Sequence, residues 1–204
     1  MLQKKIAASK KNYVASNGRS DVVISDQPFP PLSTSLETFL KDGSDLGFRQ
    51  MIYNVLTVSA LMLRVRERFA SYIGVTGPQY SILVAVGEAR SATVSQIAQQ
   101  QHVSSSFITA EVGKLVRRGY LARSPNLKDG RSALLSLTKA GMELIIQLGE
   151  YRQLANDVIF GSFDKEQAEA FSAHMERLVV DAECALHMLD APEWKLPAKA
   201  ASDR

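Results

Sequence analysis

Between Lys114 and Arg131 the chain places six basic residues, Lys114, Arg117, Arg118, Arg123, Lys128 and Arg131, against a single acid, Asp129. Cations clustered this way can neutralise phosphates and release their counterions, which is the electrostatic footprint of a nucleic-acid surface. Immediately upstream, Ser104, Ser105, Ser106 and Thr109 carry hydroxyls that can donate to phosphate oxygens or base edges. Ala110 offers a methyl contact to thymine, and Glu111 can accept from cytosine while repelling phosphate. The chemistry on offer is recognition of a polyanion. On charge alone, a merely solvated basic face is the plain alternative.

Reaction chemistry has no comparable constellation. The chain contains no G-x-S-x-G, H-E-x-x-H, Walker or dinucleotide-binding pattern. Its three histidines, His102, His174 and His187, are far apart in sequence. Cys184 and His187 stand three apart on one helix face, but His174 lies about 15 Å from Cys184 along such a helix at 1.5 Å per residue. Two ligands do not make a metal site, so no metal and no cofactor are expected, and Cys184 reads as a buried thiol. A lone cysteine also cannot form an intramolecular disulfide, which suits a reducing compartment. The expectation is a protein that is not an enzyme.

Composition agrees with a folded binding protein. At 204 residues the chain is long enough for one domain with a full core. Its 46% hydrophobic and 22% charged content argues against wholesale disorder. The net charge of only +3 makes the uneven distribution of charge the more informative feature. No run approaches the roughly 18 uninterrupted apolar residues that span a bilayer. Lys4, Lys5, Lys10 and Lys11 are followed by no apolar signal region, so a cytoplasmic protein without membrane contact is expected.

The elements that must hold the basic segment are readable from periodicity and caps. Residues 1–43, with Pro28, Pro30 and Pro31, sustain no apolar period and read as a flexible arm. The first 20 carry five basic groups, Lys4, Lys5, Lys10, Lys11 and Arg19, and no acid. Residues 191–204 read as a loose tail. Phe48 to Ile73 predicts a long helix ending at Gly74, and Thr76-Gly-Pro-Gln79 opens a second through about Ala89. Thr93-Val-Ser-Gln96 opens a short third helix, and Ser104 caps a fourth with Ile108, Val112 and Leu115 facing inward. Two short helices joined by a tight turn constitute a helix-turn-helix whose second member shows Ser105, Ser106, Thr109, Ala110 and Lys114 outward.

Tyr120–Ser124 and Ser132–Leu137 predict a hairpin around a loop with Asp-Gly at its tip. Thr138 then caps a helix carrying Leu144, Leu148, Tyr151, Leu154 and Val158 on one side. Asp164-Lys-Glu-Gln167 opens a last helix with Phe171, Met175, Leu178, Ala182 and Leu186 on its apolar face. The fold class is mainly α with a small β-hairpin wing. The first helix and those after the wing carry more apolar stripe than one small winged helix can cover, which points to a dimer.

In order and spacing, Thr76-Gly-Pro-Gln-Tyr80, Thr93-Val-Ser-Gln-Ile-Ala98, Lys114-Leu-Val-Arg-Arg-Gly-Tyr-Leu121, Asp129-Gly-Arg-Ser132 and Leu137-Thr-Lys-Ala-Gly141 resemble the MarR family over about residues 46–190. The resemblance implies a homodimer of interlocked terminal helices, the dimerisation helices being about 46–73 and 138–190 and the winged helix-turn-helix about 76–137. Such a dimer sets two winged helices on a pseudo-palindromic double-stranded DNA operator. It further implies that Arg131 in the wing enters the minor groove and that Asp129 orients it. The DNA-binding residues are then Ser104, Ser105, Ser106, Thr109, Ala110, Lys114, Arg123, Lys128, Asp129 and Arg131. Many relatives have a basic residue where this chain has Ala110. Family members often release DNA on binding a small aromatic acid or phenol, for which Arg49, Tyr53, Arg64 and Tyr80 are the candidate ligand-binding residues. A repressor released by such an effector is the expected function. An activator, a ligand-independent regulator and a winged-helix protein-interaction module are the alternatives.

Overall fold

A computed structural model describes residues 29–127 and 129–191. The described residues form two compact units, divided between Leu56 and Thr57. The expected basic groups of the first 20 residues, and the tail beyond Ala191, lie outside the described residues.

In the first unit, part of what the sequence suggested to be a loose arm is folded. A single 3-10 turn, Glu37–Phe39, precedes the start of helix α1 (Leu46–Tyr72), and the Phe39 and Phe48 rings pack at 5.1 Å. Asp45 is buried and organises this end. Its carboxylate accepts from the Ser33 backbone N–H at 2.6 Å and the Ser33 hydroxyl at 2.5 Å, and pairs with Arg49 at 2.8 Å. Sequence reading missed this because the anchor is one aspartate joined to a serine twelve residues upstream, with no apolar period to announce it.

In the second unit, α1 ends where Gly74 adopts φ +68°, the left-handed conformation that glycine reaches without a Cβ penalty. The Val75 N–H returns to the Ala70 carbonyl at 2.9 Å and closes the helix end. Thr76 and Gln79 form a reciprocal capping box for α2 (Gly77–Ala89), with Pro78 in its first turn. This helix is the centre of the core: Tyr80, Ile82, Leu83 and Val86 are all buried. A second capping box, Thr93 with Gln96, opens α3 (Val94–Gln100). Ser104 caps α4 (Ser105–Arg117), whose Ile108, Val112 and Leu115 reach the same core.

Strands β1 (Leu121–Pro125) and β2 (Ala133–Leu137) pair antiparallel, Leu121 opposite Leu137 and Arg123 opposite Leu135. Ala92, between α2 and α3, exchanges both backbone hydrogen bonds with Leu135, at 3.1 and 2.9 Å. That bridge ties the hairpin to the helix-turn-helix.

The single helix expected after the wing is two, α5 (Lys139–Gln147) and α6 (Gly149–Phe160). The break falls where Leu148 is driven into the core beside Gly149, a poor helix former. The last helix, α7 (Lys165–Asp190), starts at the Asp164–Gln167 capping box. Its apolar residues Phe171, Leu178, Val179 and Leu186 remain exposed in the single chain, as do Leu61 and Leu63 of α1 and Leu154 and Val158 of α6. By length and composition α1 is also apolar enough to cross a membrane, with a mean hydropathy of 1.2 over its best window. The expectation of no apolar run concerned uninterrupted stretches, and Gln50, Asn54, Thr57 and Ser59 do interrupt this one.

Candidate nucleic-acid interface

Helix α4 is amphipathic because its buried residues recur at i, i+4 and i+7 and leave the opposite face polar. Ser105, Ser106, Thr109, Ala110 and Lys114 are all exposed on it. Their hydroxyls are not equally free. Ser104 accepts from the Phe107 N–H at 3.3 Å, and Thr109 donates its proton to the Ser105 carbonyl at 2.7 Å, so Thr109 is left to accept rather than donate. The Ser104 and Ser106 hydroxyls bond one another at 3.1 Å, so Ser105 is the better donor to an incoming phosphate.

The start of α3, helix α4 and the wing border a hollow of about 280 Å3 whose polar lining is Thr93, Ser95, Thr109, Arg123, Arg131 and Ser132, with Val94, Ala133 and Leu135 beside them. Three of the expected DNA-binding residues, Thr109, Arg123 and Arg131, thus meet from three elements. Thr93 and Ser95 join them, and the sequence reading missed both because it took Thr93 for a cap and nothing more. Two guanidinium groups beside hydroxyls suit a phosphate diester.

At the wing tip Asp129 meets Arg131 through the backbone. Its carboxylate accepts from the Arg131 backbone N–H at 3.1 Å, and among the described residues no ion pair joins it to the guanidinium. The Ser132 N–H and hydroxyl donate to the Asp129 carbonyl at 3.0 and 3.2 Å, and Asn126 donates to the Ser132 hydroxyl at 2.8 Å. Asp129 therefore shapes the turn, and Arg131 projects exposed from it. Lys128 lies outside the described residues.

Two other cations of the basic segment are occupied within the chain. Arg118 donates to the Gly74 carbonyl at 2.9 Å and stacks 4.8 Å over the Tyr120 ring, a tie between α1's end and the hairpin. Lys114 pairs with Glu111 at 2.5 Å. Glu111 itself is only 7% exposed and accepts a second bond from Gln79 Nε2 at 2.9 Å. A cytosine-reading role for Glu111 does not survive this geometry. The Lys114 hydrogen bond and the Gln79 hydrogen bond hold its carboxyl below the usual carboxylate range, against the opposing effect of burial.

The expected effector residues fall in both units, Arg49 and Tyr53 in the first and Arg64 and Tyr80 in the second. Arg49 is paired with Asp45 in the first unit, Tyr53 there is 64% exposed, and Arg64 is exposed. Tyr80 is buried in the core, and burial raises its hydroxyl pKa. The arginine over its ring is Arg66, at 5.2 Å, which also donates to Ser81. A cavity of about 110 Å3 is lined by Tyr80, Arg66, Glu88, Arg152 and Asn156 among others, and Tyr80 is the one expected residue that lines it.

Cys184 is exposed rather than buried, because α7 packs few of its residues in the single chain. His187 lines a cleft with His102, Glu183 and Asp190, where His102 approaches Glu183 at 3.8 Å. Among the described residues no group of three His, Cys, Asp or Glu side chains could hold a metal ion.

The MarR family model matches residues 73–132, from the end of α1 to the wing tip. The chain is 26% identical over 92 residues to the organic hydroperoxide resistance transcriptional regulator of Bacillus subtilis, covering 45% of this chain and 63% of that protein. It is 32% identical over 89 residues to the HTH-type transcriptional repressor MdtR of the same organism, covering 42% of this chain and 57% of that protein. The matches thus span less than two thirds of either relative. A mutant MarR from Escherichia coli complexed with operator DNA superposes with a TM-score of 0.53 at 21% identity, over 66% of this chain and 99% of that one. The fold is the same mainly helical one with a two-stranded wing. Residues 73–132 are thus similar to the MarR family, and the fold that holds them is a winged helix-turn-helix.

Proposed function

We propose that the protein is a sequence-specific DNA-binding transcriptional regulator that acts in the cytoplasm as a homodimer. The observation that carries this reading is the hollow between α3, α4 and the wing, where Arg123 and Arg131 stand beside the exposed serines of α4. Helix α4 is the element for the major groove, with Ser105, Ser106 and Ala110 toward the bases. Arg131, held out by the Asp129 turn, is the minor-groove contact. The E. coli relative bound to operator DNA supports the partner. A pseudo-palindromic duplex is the target that a two-fold dimer would read.

Dimerisation is supported by the exposed apolar residues of α1, α6 and α7, which exceed the scattered surface hydrophobics of an ordinary monomer. Repression is the mode we favour, since a dimer seated across a promoter blocks it without further parts, and a curated relative is a repressor. The small cavity beneath Tyr80 supports release by a small aromatic acid, with Arg66 and Arg152 as the carboxylate partners. These replace the Arg49 and Arg64 suggested by sequence.

The test is a salt titration of binding to duplexes selected from a random pool, repeated with salicylate and benzoate. Enrichment of a near-palindrome whose affinity falls steeply with salt supports the regulator. Retention of no duplex at any salt would move the account to a protein-interaction module.

A further inference from the structure

We propose that Glu111 is a positioning residue that withholds Lys114 from DNA, with Gln79 fixing Glu111 in place. The proposal rests on the regulator reading above and concerns which cations of the recognition helix reach phosphate.

Lys114 sits on the exposed face of α4, near its C-terminal end, and looks from sequence like a phosphate contact. The structure gives its ammonium another partner. Glu111 lies one turn earlier and holds Lys114 Nζ at 2.5 Å through Oε1. The second carboxylate oxygen, Oε2, accepts from Gln79 Nε2 at 2.9 Å. Gln79 is 5% exposed and has no freedom to follow a moving partner, because its Oε1 accepts from the Thr76 N–H and completes the capping box of α2. One amide thus closes the helix start and clamps the carboxylate.

The consequence follows from charge. An unpaired carboxylate this near the DNA face would repel the backbone, and Lys114 cancels it. Pulling Lys114 away to a phosphate would leave Glu111 buried and short of its cation, which opposes that exchange. The Glu111–Lys114 pair therefore approaches DNA as a neutral unit. Arg123 and Arg131 carry the counterion release, and base reading narrows to the serines and Ala110.

The slope of log affinity against log salt reads this directly, at about 0.9 for each phosphate neutralised. Lys114→Ala alone uncovers the Glu111 carboxylate and should flatten the slope, so the informative comparison removes both charges of the pair. Glu111→Gln keeps an acceptor for Gln79 and frees Lys114, so the slope should steepen by about 0.9 per recognition helix. Adding Lys114→Ala to Glu111→Gln should remove that gain. A role confined to stability would move melting temperature and affinity but not steepen the slope in Glu111→Gln and return it to the wild-type value in the double variant. Should Glu111→Gln fail to fold, Glu111→Met carries the same expectation, and the Lys114 ammonium resonance, slowed in exchange by its carboxylate, can be sought in the wild-type protein alone. A Glu111→Gln, Lys114→Ala double variant whose slope falls about 0.9 per helix below the wild type, or no change with Glu111→Gln, overturns the proposal. Absence of any DNA binding by the wild-type protein sinks the regulator reading and this proposal with it, and is distinguishable because it precedes every substitution.

Discussion

Gly141 is the position where one methyl group should do the most damage. It lies in the first turn of α5, and a Cβ built there overlaps the Tyr120 carbonyl oxygen, comes to 3.1 Å from the Tyr120 carbonyl carbon, and stands 3.3 Å from Leu137 Cδ2. Backbone cannot swing aside as a side chain can. Relief requires the start of α5 to move off the strand entry, where the Thr138 N–H bonds Tyr120 O at 3.1 Å and the Thr138 hydroxyl bonds Gly119 O at 2.6 Å. Overpacking costs about 1–3 kcal/mol. Weakening two hydrogen bonds adds about 1 kcal/mol each. The helix propensity of alanine returns at most about 1 kcal/mol. Gly141→Ala should therefore destabilise by about 2–4 kcal/mol, a large part of a typical domain's 5–15 kcal/mol. Gly113→Ala is the matched control, because its Cβ meets only the end of Arg117 at 3.5 Å in mid-helix. It should stabilise by about 0.5–1 kcal/mol. Urea unfolding at one fixed protein concentration, which holds any self-association linked to folding constant, measures both. A Gly141→Ala protein as stable as the parent would refute the packing argument.

Arg131→Ala should weaken operator binding and lower the salt slope by about 0.9 per wing while leaving the melting temperature unchanged, as a gel-shift titration would reveal; an unaltered slope removes the wing from the interface. Asp45 and Glu111 have folded-state pKa values below the ordinary carboxylate range, Asp45 chiefly through the Ser33 hydroxyl and Glu111 chiefly through Lys114. Their stabilisation is present above the unfolded pKa of about 4 and is lost as pH falls through the lowered values. Melting curves from pH 7 to 3 should thus drop less steeply for Asp45→Asn and Glu111→Gln than for the parent, and parallel curves would contradict the assignment. Thr138→Val removes both the N-cap bond to the Gly141 N–H and the bond to Gly119 O, and should cost about 1–2 kcal/mol in the same urea assay. Arg152→Ala should abolish any loosening of the DNA complex by salicylate while sparing DNA affinity, and a retained response would place the effector elsewhere.

Local signals in the sequence carried most of the fold. Thr76, Thr93, Ser104, Thr138 and Asp164 each cap the helix expected of them, because a cap is a contact between residues three apart. The outward face of α4 was legible for the same reason: helical period decides it. What could not be read is what depends on distant partners. Glu111 looked like a base reader because nothing local reveals Gln79, 32 residues earlier, as its partner. Arg118 counted toward the basic surface until Gly74, 44 residues away, claimed it. Arg64 and Arg66 differ by two residues on one helix, nearly opposite faces, and only the crossing of α1 with α2 decides which meets Tyr80. The break at Leu148 is a similar case, a tertiary demand for one buried leucine overriding a continuous apolar pattern.

The most direct test of the account is a footprint of the purified protein on the DNA upstream of its own gene, at near-physiological salt. The account predicts a protected near-palindrome with half-sites about one helical turn apart, lost or weakened in Arg131→Ala. No protection at any salt, from protein that is folded and dimeric, would contradict it.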